Sequence, residues 1–258
     1  MTQNAERAPV ELTEPPIATV PQRNSATSPD GSGSWWHQRY LWLVLLCGVV
    51  GFNLIYALPR YLSFDESQSR IALDPARTDQ HFGLLVAHVV TGNVAMVTVL
   101  LQLWPWLRRN HPQVHRISGR IYILAGVLPA AGLGLLALIP LRQDQTGSIG
   151  LGVEGALWLV TTGVGWRMAR QHRYAQHQRW MLYSFALALG STYGRIIAEV
   201  LTHYPSTMKY LSMDTIVEVS YWLGWIVNVL IAHLWFEHQA KRSSKAGGQI
   251  VTYPSPVH

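Results

Sequence analysis

The chain of 258 residues has few charged side chains and long stretches without any Lys, Asp or Glu. Charged residues make up 13% of the sequence and hydrophobic residues 49%, whereas soluble domains carry about 25% charged residues. This shortage argues against a soluble domain. The sequence also lacks a phosphate-binding glycine loop, an HExxH string and a serine nucleophile elbow, so no soluble catalytic motif indicates a reaction.

Cysteine is equally scarce. The single cysteine, Cys47, lies in an apolar run, so no intramolecular disulfide can form and no redox compartment is indicated. The net charge of +6 comes from short basic clusters beside apolar segments. Membrane topology explains that placement better than nucleic-acid binding does, so we expect a lipid bilayer rather than a nucleic acid as the partner.

What the sequence does contain is a series of six apolar segments. Each is near the ~20 residues that an α-helix needs to cross a ~30 Å hydrocarbon layer. We therefore predict an all-α polytopic membrane helix bundle with about six transmembrane helices inside residues 35–238. The predicted spans are 40–58, 81–104, 121–141, 150–168, 180–200 and 215–236. The fourth is the weakest, because it is short and polar for a span.

Two polar tails flank the predicted spans. Residues 1–34 are rich in Pro, Ser and Thr, lack apolar periodicity and are predicted to be disordered, and residues 239–258 form a second tail. Most Lys and Arg residues lie in these tails or in the loops after spans two and four, and the positive-inside rule therefore predicts cytoplasmic N and C termini. The residues that carry this asymmetry are Arg7, Arg23, Arg39, Arg108, Arg109, Arg116, Arg120, Arg167, Arg170, Arg173, Arg179, Lys241, Arg242 and Lys245.

Polar and ionisable side chains inside the spans form two layers when position is converted to depth at about 1.5 Å per residue. Such residues are costly in a membrane and usually face the bundle interior or a cavity. The outer layer contains His88, Glu154, Arg195, Glu199 and Glu218, and the inner layer contains His115 and His177 with Gln102 and His233 beside them. Arg195 either snorkels or pairs with Glu199, or it is a fixed cation that holds a carboxylate, a propionate or a quinone oxygen near His88.

His115 and His177 lie at matched depths, each just after a basic loop. Two histidines on different helices can hold a b-type haem through its two axial positions, with nearby arginines meeting the propionates. The alternative is that both are interfacial histidines that contact lipid phosphates or helix ends. A zinc or other metal site is not expected, because this layer has neither a thiolate nor an acidic ligand.

Two strings resemble those of a known bacterial membrane family. They are His115-Arg-Ile-Ser-Gly-Arg-Ile-Tyr122 and His177-Gln-Arg-Trp-Met181, with Arg195 downstream. Over about residues 80–200 the chain resembles the family called domain of unknown function 2306, although Leu182-Tyr183 stands where that pattern has an arginine. The resemblance implies a multi-pass protein of the bacterial cytoplasmic membrane with a shared site around His88, His115, His177 and Arg195, and it implies no established activity.

Three hypotheses for the function follow. The first is a membrane redox protein that holds haem b or exchanges electrons with a quinone. The second is a small transporter or proton-linked permease that uses the outer layer. The third is a non-catalytic assembly factor or partner of another membrane protein. The catalytic residues, if any, are not indicated.

Overall fold

The computed structural model describes residues 32–69, 73, 76, 78–138 and 147–247. The chain divides into two compact units, Met1–Tyr40 and Leu41–His258. In the first unit only the start of helix α1 is described. The second unit contains the rest of α1, the other helices and every candidate site residue.

The described residues are helical and contain no strand. The helices are α1 (Ser32–Leu62), α2 (Thr78–Leu103), α3 (Pro105–Asn110), α4 (Pro112–Ile121), α5 (Leu128–Leu138), α6 (Ser148–Arg170), α7 (Tyr174–His203), α8 (Pro205–Tyr210) and α9 (Met213–Gly247). A short 3-10 turn, Glu66–Gln68, follows α1, and a π-helical segment, Tyr122–Val127, joins α4 to α5. The prediction of an all-α polytopic membrane bundle is confirmed.

Within the described residues, five helical stretches are long and apolar enough to cross a membrane. They are Leu41–Leu62, Thr78–Leu103, Pro112–Leu138, Ser148–Arg170 and Met213–Lys241. The remaining predicted span, 180–200, lies inside α7, whose 30 residues reach about 45 Å at 1.5 Å per residue. Helix α7 is long enough to cross but is not among the five, so its crossing stays a prediction. The fourth predicted span, which the sequence marks as the weakest, is among them.

The predicted boundaries of the tails differ from those of the helices. Helix α1 begins at Ser32, inside the tail predicted to end at 34, and α9 continues to Gly247, past the predicted start of the second tail at 239. Residues 1–31 and 248–258 lie outside the described residues, as do the last three residues of the span predicted at 121–141.

Helix α7 packs against α6 and α9, and glycines allow it to approach α9 closely. A Cβ on Gly224 of α9 would overlap the Gly190 carbonyl of α7 and lie 2.7 Å from the Gly194 nitrogen. A Cβ on Gly194 would lie 2.9 Å from the Ser220 carbonyl oxygen. Small residues spaced four apart let backbones meet in this way in membrane helices. Helix α7 therefore packs against α9 at backbone distance and against α6 on another side.

The π-helical segment has a cause in the sequence. Pro129 follows it by two residues, lacks a backbone N–H and crowds the carbonyl four residues earlier, which is that of Ala125. A wider turn accommodates that carbonyl without breaking the helix. The described chain consequently runs from Pro112 to Leu138 as one continuous helical stretch.

Candidate functional site

A cavity of about 160 Å³ lies between α1, α2, α5, α6 and α7, and Tyr221 of α9 also lines it. Its walls are mostly apolar, but His88 of α2, Glu154 of α6 and Arg195 of α7 are among the described residues that line it. Tyr61, near the end of α1, and Leu151, near the start of α6, also line the cavity. We call this side of the bundle, where α1 ends and α6 begins, the cavity side. A protein cavity of about 150 Å³ is large enough for benzene, which sets the scale of a ligand.

A buried polar network fixes the position of Arg195. The Asn53 Oδ1 atom accepts hydrogen bonds from Arg195 Nη1 at 2.7 Å and from Thr192 Oγ1 at 3.0 Å. Asn53 Nδ2 donates to Asn93 Oδ1 at 2.9 Å, and Asn93 Nδ2 donates to the Val89 carbonyl at 2.7 Å. The network links α1, α2 and α7, so the guanidinium is held by the bundle rather than extended freely towards the interface.

His88 is oriented by a backbone carbonyl. Its Nδ1 lies 2.7 Å from the Ala130 oxygen, which can only accept, so Nδ1 carries the hydrogen. In the neutral imidazole, Nε2 is then the nitrogen with a free lone pair. Gly134 of α5 makes room for the ring, because a Cβ there would lie 2.7 Å from Nδ1 and 2.9 Å from Cε1.

Glu154 is the most deeply buried of the three ionisable side chains, with 6% of its surface exposed. Gly190 of α7 leaves space for its carboxylate, since a Cβ on that glycine would overlap Glu154 Oε1. Arg195 lies within electrostatic range of both Glu154 and His88. The cavity therefore combines a fixed cation, a carboxyl group and an imidazole.

An apolar cluster and a set of buried hydroxyls lie next to the cavity. Met96 and Ala188 line the cavity and also belong to the main apolar cluster, which contains Val50, Val99, Val127 and Phe185. Trp158 also lines the cavity, and its Nε1 donates to Tyr122 Oη at 3.0 Å. Tyr122 Oη is hydrogen-bonded to Ser184 Oγ at 2.6 Å, and Ser184 Oγ to Thr162 Oγ1 at 2.7 Å.

Two of the predicted outer-layer carboxylates lie elsewhere. Glu199 does not pair with Arg195 as the sequence allows; it is exposed and accepts a hydrogen bond from Tyr56 Oη at 2.6 Å. Glu218 accepts from the Gly147 backbone nitrogen at 2.5 Å and from Trp222 Nε1 at 2.6 Å. Glu218 thus holds the start of α6, where Gly147 is the N-cap with φ of +84°.

The predicted inner layer lies near the opposite side, away from the cavity. His177 Nδ1 is 2.9 Å from the Gly165 carbonyl oxygen, and His115 lies within electrostatic range of His177 while its Nδ1 is buried without a hydrogen-bond partner. Gln102 Nε2 donates to the His115 carbonyl at 2.8 Å and to Ser118 Oγ at 2.6 Å. His233 Nδ1 is 2.9 Å from Tyr183 Oη.

These positions test whether haem b fits the cavity. A bis-histidine haem needs two facing imidazoles, but His88 is the one histidine among the described residues that line the cavity, and the cavity is on the scale of a single ring. The residues present do not fit haem there. His115 and His177 stay a predicted pair, and no group of three or more His, Cys, Asp or Glu is placed to hold a metal ion in the described part of the chain.

Sequence reasoning missed the neutral polar residues of the site. Asn53 and Asn93 each lie inside an apolar run. An amide in such a run is costly unless it is hydrogen-bonded, so these two positions alone could have predicted a buried polar contact. Tyr183, which departs from the resembled pattern, joins two helices. Its hydroxyl accepts a hydrogen bond from Arg179 Nε at 3.2 Å and is hydrogen-bonded to His233 of α9.

Fold and site together define a polytopic α-helical membrane protein with an ionisable cavity between its helices. A family model described as "Predicted membrane protein (DUF2306)" matches residues 85–236, and the chain belongs to that family. The resemblance seen in the histidine strings is thereby confirmed. The matched residues include His88, Glu154 and Arg195 but exclude α1. No curated protein and no solved structure matches the chain.

Proposed function

We propose that this protein is a proton-linked permease that holds a small molecule in the cavity formed by α1, α2, α5, α6 and α7. The observation that carries the proposal is the convergence of His88, Glu154 and Arg195, from three helices, on one cavity. Ionisable residues inside membrane bundles are costly and mark substrate or proton pathways.

The three side chains have complementary capacities. Arg195 presents guanidinium donors that bind an anion or a carbonyl oxygen. The Glu154 carboxylate and the His88 Nε2 lone pair can each take up a proton. A site with one permanent cation and two proton acceptors can couple the binding of a ligand to a change of protonation.

The surroundings of the cavity fit one state of a carrier. In this proposal the apolar cluster around Met96 and the buried hydroxyls around Tyr122, which adjoin the cavity, close it towards the opposite side, while its lining extends to Tyr61 and Leu151 on the cavity side. Alternating access requires a binding site that is closed on one side at a time. The α7–α9 glycine contact supplies a backbone interface without interlocking side chains, along which such helices can shift.

The other two hypotheses have less support from the cavity. A quinone headgroup matches its size, but the residues around it supply no histidine pair for a haem that would exchange electrons. A role as an assembly factor would not require a charged cavity with apolar walls. We therefore place proton-linked transport ahead of both.

Proteoliposomes that contain an internal pH dye test the proposal. A panel of small organic acids, amines and quinones is added outside, and proton movement is compared with that in protein-free vesicles of the same lipid. We expect at least one compound to drive proton movement that Arg195→Gln abolishes and that Arg170→Gln preserves, because Arg170 is exposed at the far end of α6. Equal rates with wild type, Arg195→Gln and protein-free vesicles would overturn the proposal.

A further inference from the structure

The cavity limits the body of its ligand to about one ring or a short branched chain. Its volume of about 160 Å³ is close to that of a cavity known to hold benzene. Leu85, Val89, Leu135 and Leu187 are among its apolar walls. Gly92 also lines it, with nothing within 4 Å of where a Cβ would stand, so this part of the wall is open space.

Arg195 provides a recognition point for the polar end of the ligand. A guanidinium has five N–H donors, and the one hydrogen bond that the described residues make to it is from Nη1 to Asn53. The remaining donors match a carboxylate, which guanidinium groups bind with two parallel hydrogen bonds. The Asn53 contact orients the guanidinium before any ligand arrives.

The balance of charges in the cavity predicts that a proton is taken up when the ligand binds. Among the described residues, the titratable side chains that line the cavity are Tyr61 of α1, His88 of α2, Glu154 of α6, Arg195 of α7 and Tyr221 of α9. Among the lining side chains, the Glu154 carboxylate is the counter-charge available to Arg195 in the empty cavity, since buried charges need a counter-charge. A carboxylate ligand adds a second negative charge, and neutrality is restored when Glu154 or His88 takes up one proton from water.

We infer that the cavity binds a small monocarboxylate whose apolar body is about the size of one ring, and that each ligand bound takes up about one proton. This inference rests on the proposed permease function and names its substrate class. The acidic proton comes from the solvent and ends on Glu154 or His88, and no bond of the ligand is broken.

Calorimetric titration of the full-length protein in detergent, with benzoate as the probe, tests the inference. Titrations in two buffers of different ionisation enthalpy give the number of protons taken up per benzoate bound. We expect about one for the wild type. Benzamide, which has the same shape without the charge, should bind at least tenfold more weakly. Arg195→Gln should weaken benzoate binding about tenfold to a hundredfold, through loss of charge-assisted hydrogen bonds.

The variant Glu154→Gln tests proton uptake separately from benzoate binding. With that carboxylate removed, Arg195 alone balances benzoate, so the variant should bind benzoate with no net proton uptake. Glu237→Gln, at an exposed glutamate of α9, is the matched control and should keep wild-type uptake. Circular dichroism and gel filtration check that each variant is folded.

Each outcome has a defined meaning. Binding of benzoquinone in preference to benzoate, no benzoate binding by the folded wild type, or uptake that Glu154→Gln leaves unchanged would overturn the inference. Proton-linked flux of an unrelated compound together with absent benzoate binding would refute the substrate class and leave the permease standing. Benzoate binding with proton uptake but no flux in vesicles would support the ligand class and refute the permease.

Discussion

Replacing Gly134 by alanine is a small change that should alter the cavity through His88 alone. The new Cβ would stand 2.7 Å from His88 Nδ1 and 2.9 Å from Cε1, closer than real side-chain contacts, so the imidazole must move. Its 2.7 Å hydrogen bond to the Ala130 carbonyl would be lost or lengthened. Gly132, two residues earlier on α5, is the matched control because nothing lies within 4 Å of its Cβ position.

The expected size of the effect follows from three contributions. Forcing extra atoms into a packed site costs about 1–3 kcal/mol, and loss of the hydrogen bond costs about 0.5–1.5 kcal/mol. Alanine is favoured over glycine in a helix by up to about 1 kcal/mol. Gly134→Ala should therefore lower the free energy of unfolding by roughly 0.5–4.5 kcal/mol, whereas Gly132→Ala should leave it unchanged or raise it by up to about 1 kcal/mol.

Unfolding of the two variants in mixed detergent micelles, followed by tryptophan fluorescence, measures this difference. Benzoate titration of the same samples measures the cavity, and Gly134→Ala should weaken binding while Gly132→Ala should not. If both variants match the wild type in stability and affinity, the ring of His88 does not pack against Gly134, and the geometry of the site described above is wrong.

Three further outcomes are expected. Tyr122→Phe should lower stability by about 1–2 kcal/mol, because the buried hydroxyl of Ser184 loses a partner, with benzoate affinity unchanged in calorimetry. Glu218→Ala should lower the thermal unfolding temperature, since it removes the acceptor for the Gly147 N–H at the start of α6, yet proton uptake with benzoate should stay near one. Hydrogen bonds from the side chain and backbone of Ser67 lower the pKa of Asp65 below its usual 3.8. The short turn after α1 should therefore be ordered at neutral pH and loosen only as the pH falls through that lowered pKa. Asp65→Asn should remove this acid transition in an NMR titration.

Much of the architecture was predictable because a bilayer restricts backbone structure so strongly. Without water to satisfy its hydrogen bonds, a spanning segment must be helical or part of a closed barrel, so apolar length alone indicates helices. That reasoning located α6, which contains 150–168, α9, which contains 215–236, and α2, which contains all but the last residue of 81–104. It also predicted a span at 180–200; that segment lies inside α7, and its crossing of the membrane stays a prediction.

The polar residues show where sequence reasoning loses force. Depth along a helix placed His88, Glu154 and Arg195 in one layer, and all three line one cavity. The same argument placed Glu218 with them, although its carboxylate instead accepts from the start of α6. Depth is a function of position along the chain, whereas the direction of a side chain around its helix depends on packing.

The sequence by itself determined that this is an all-α membrane protein of several spans with ionisable residues at definite levels, because the shortage of charge and the length of each apolar run are local properties. Only the tertiary structure decided which of those residues meet. Contacts such as Asn53 with Arg195, His88 with Ala130, and Gly224 with Gly190 join segments far apart in the chain. They arise from the way five helices share a volume, and no local pattern of residues specifies that arrangement.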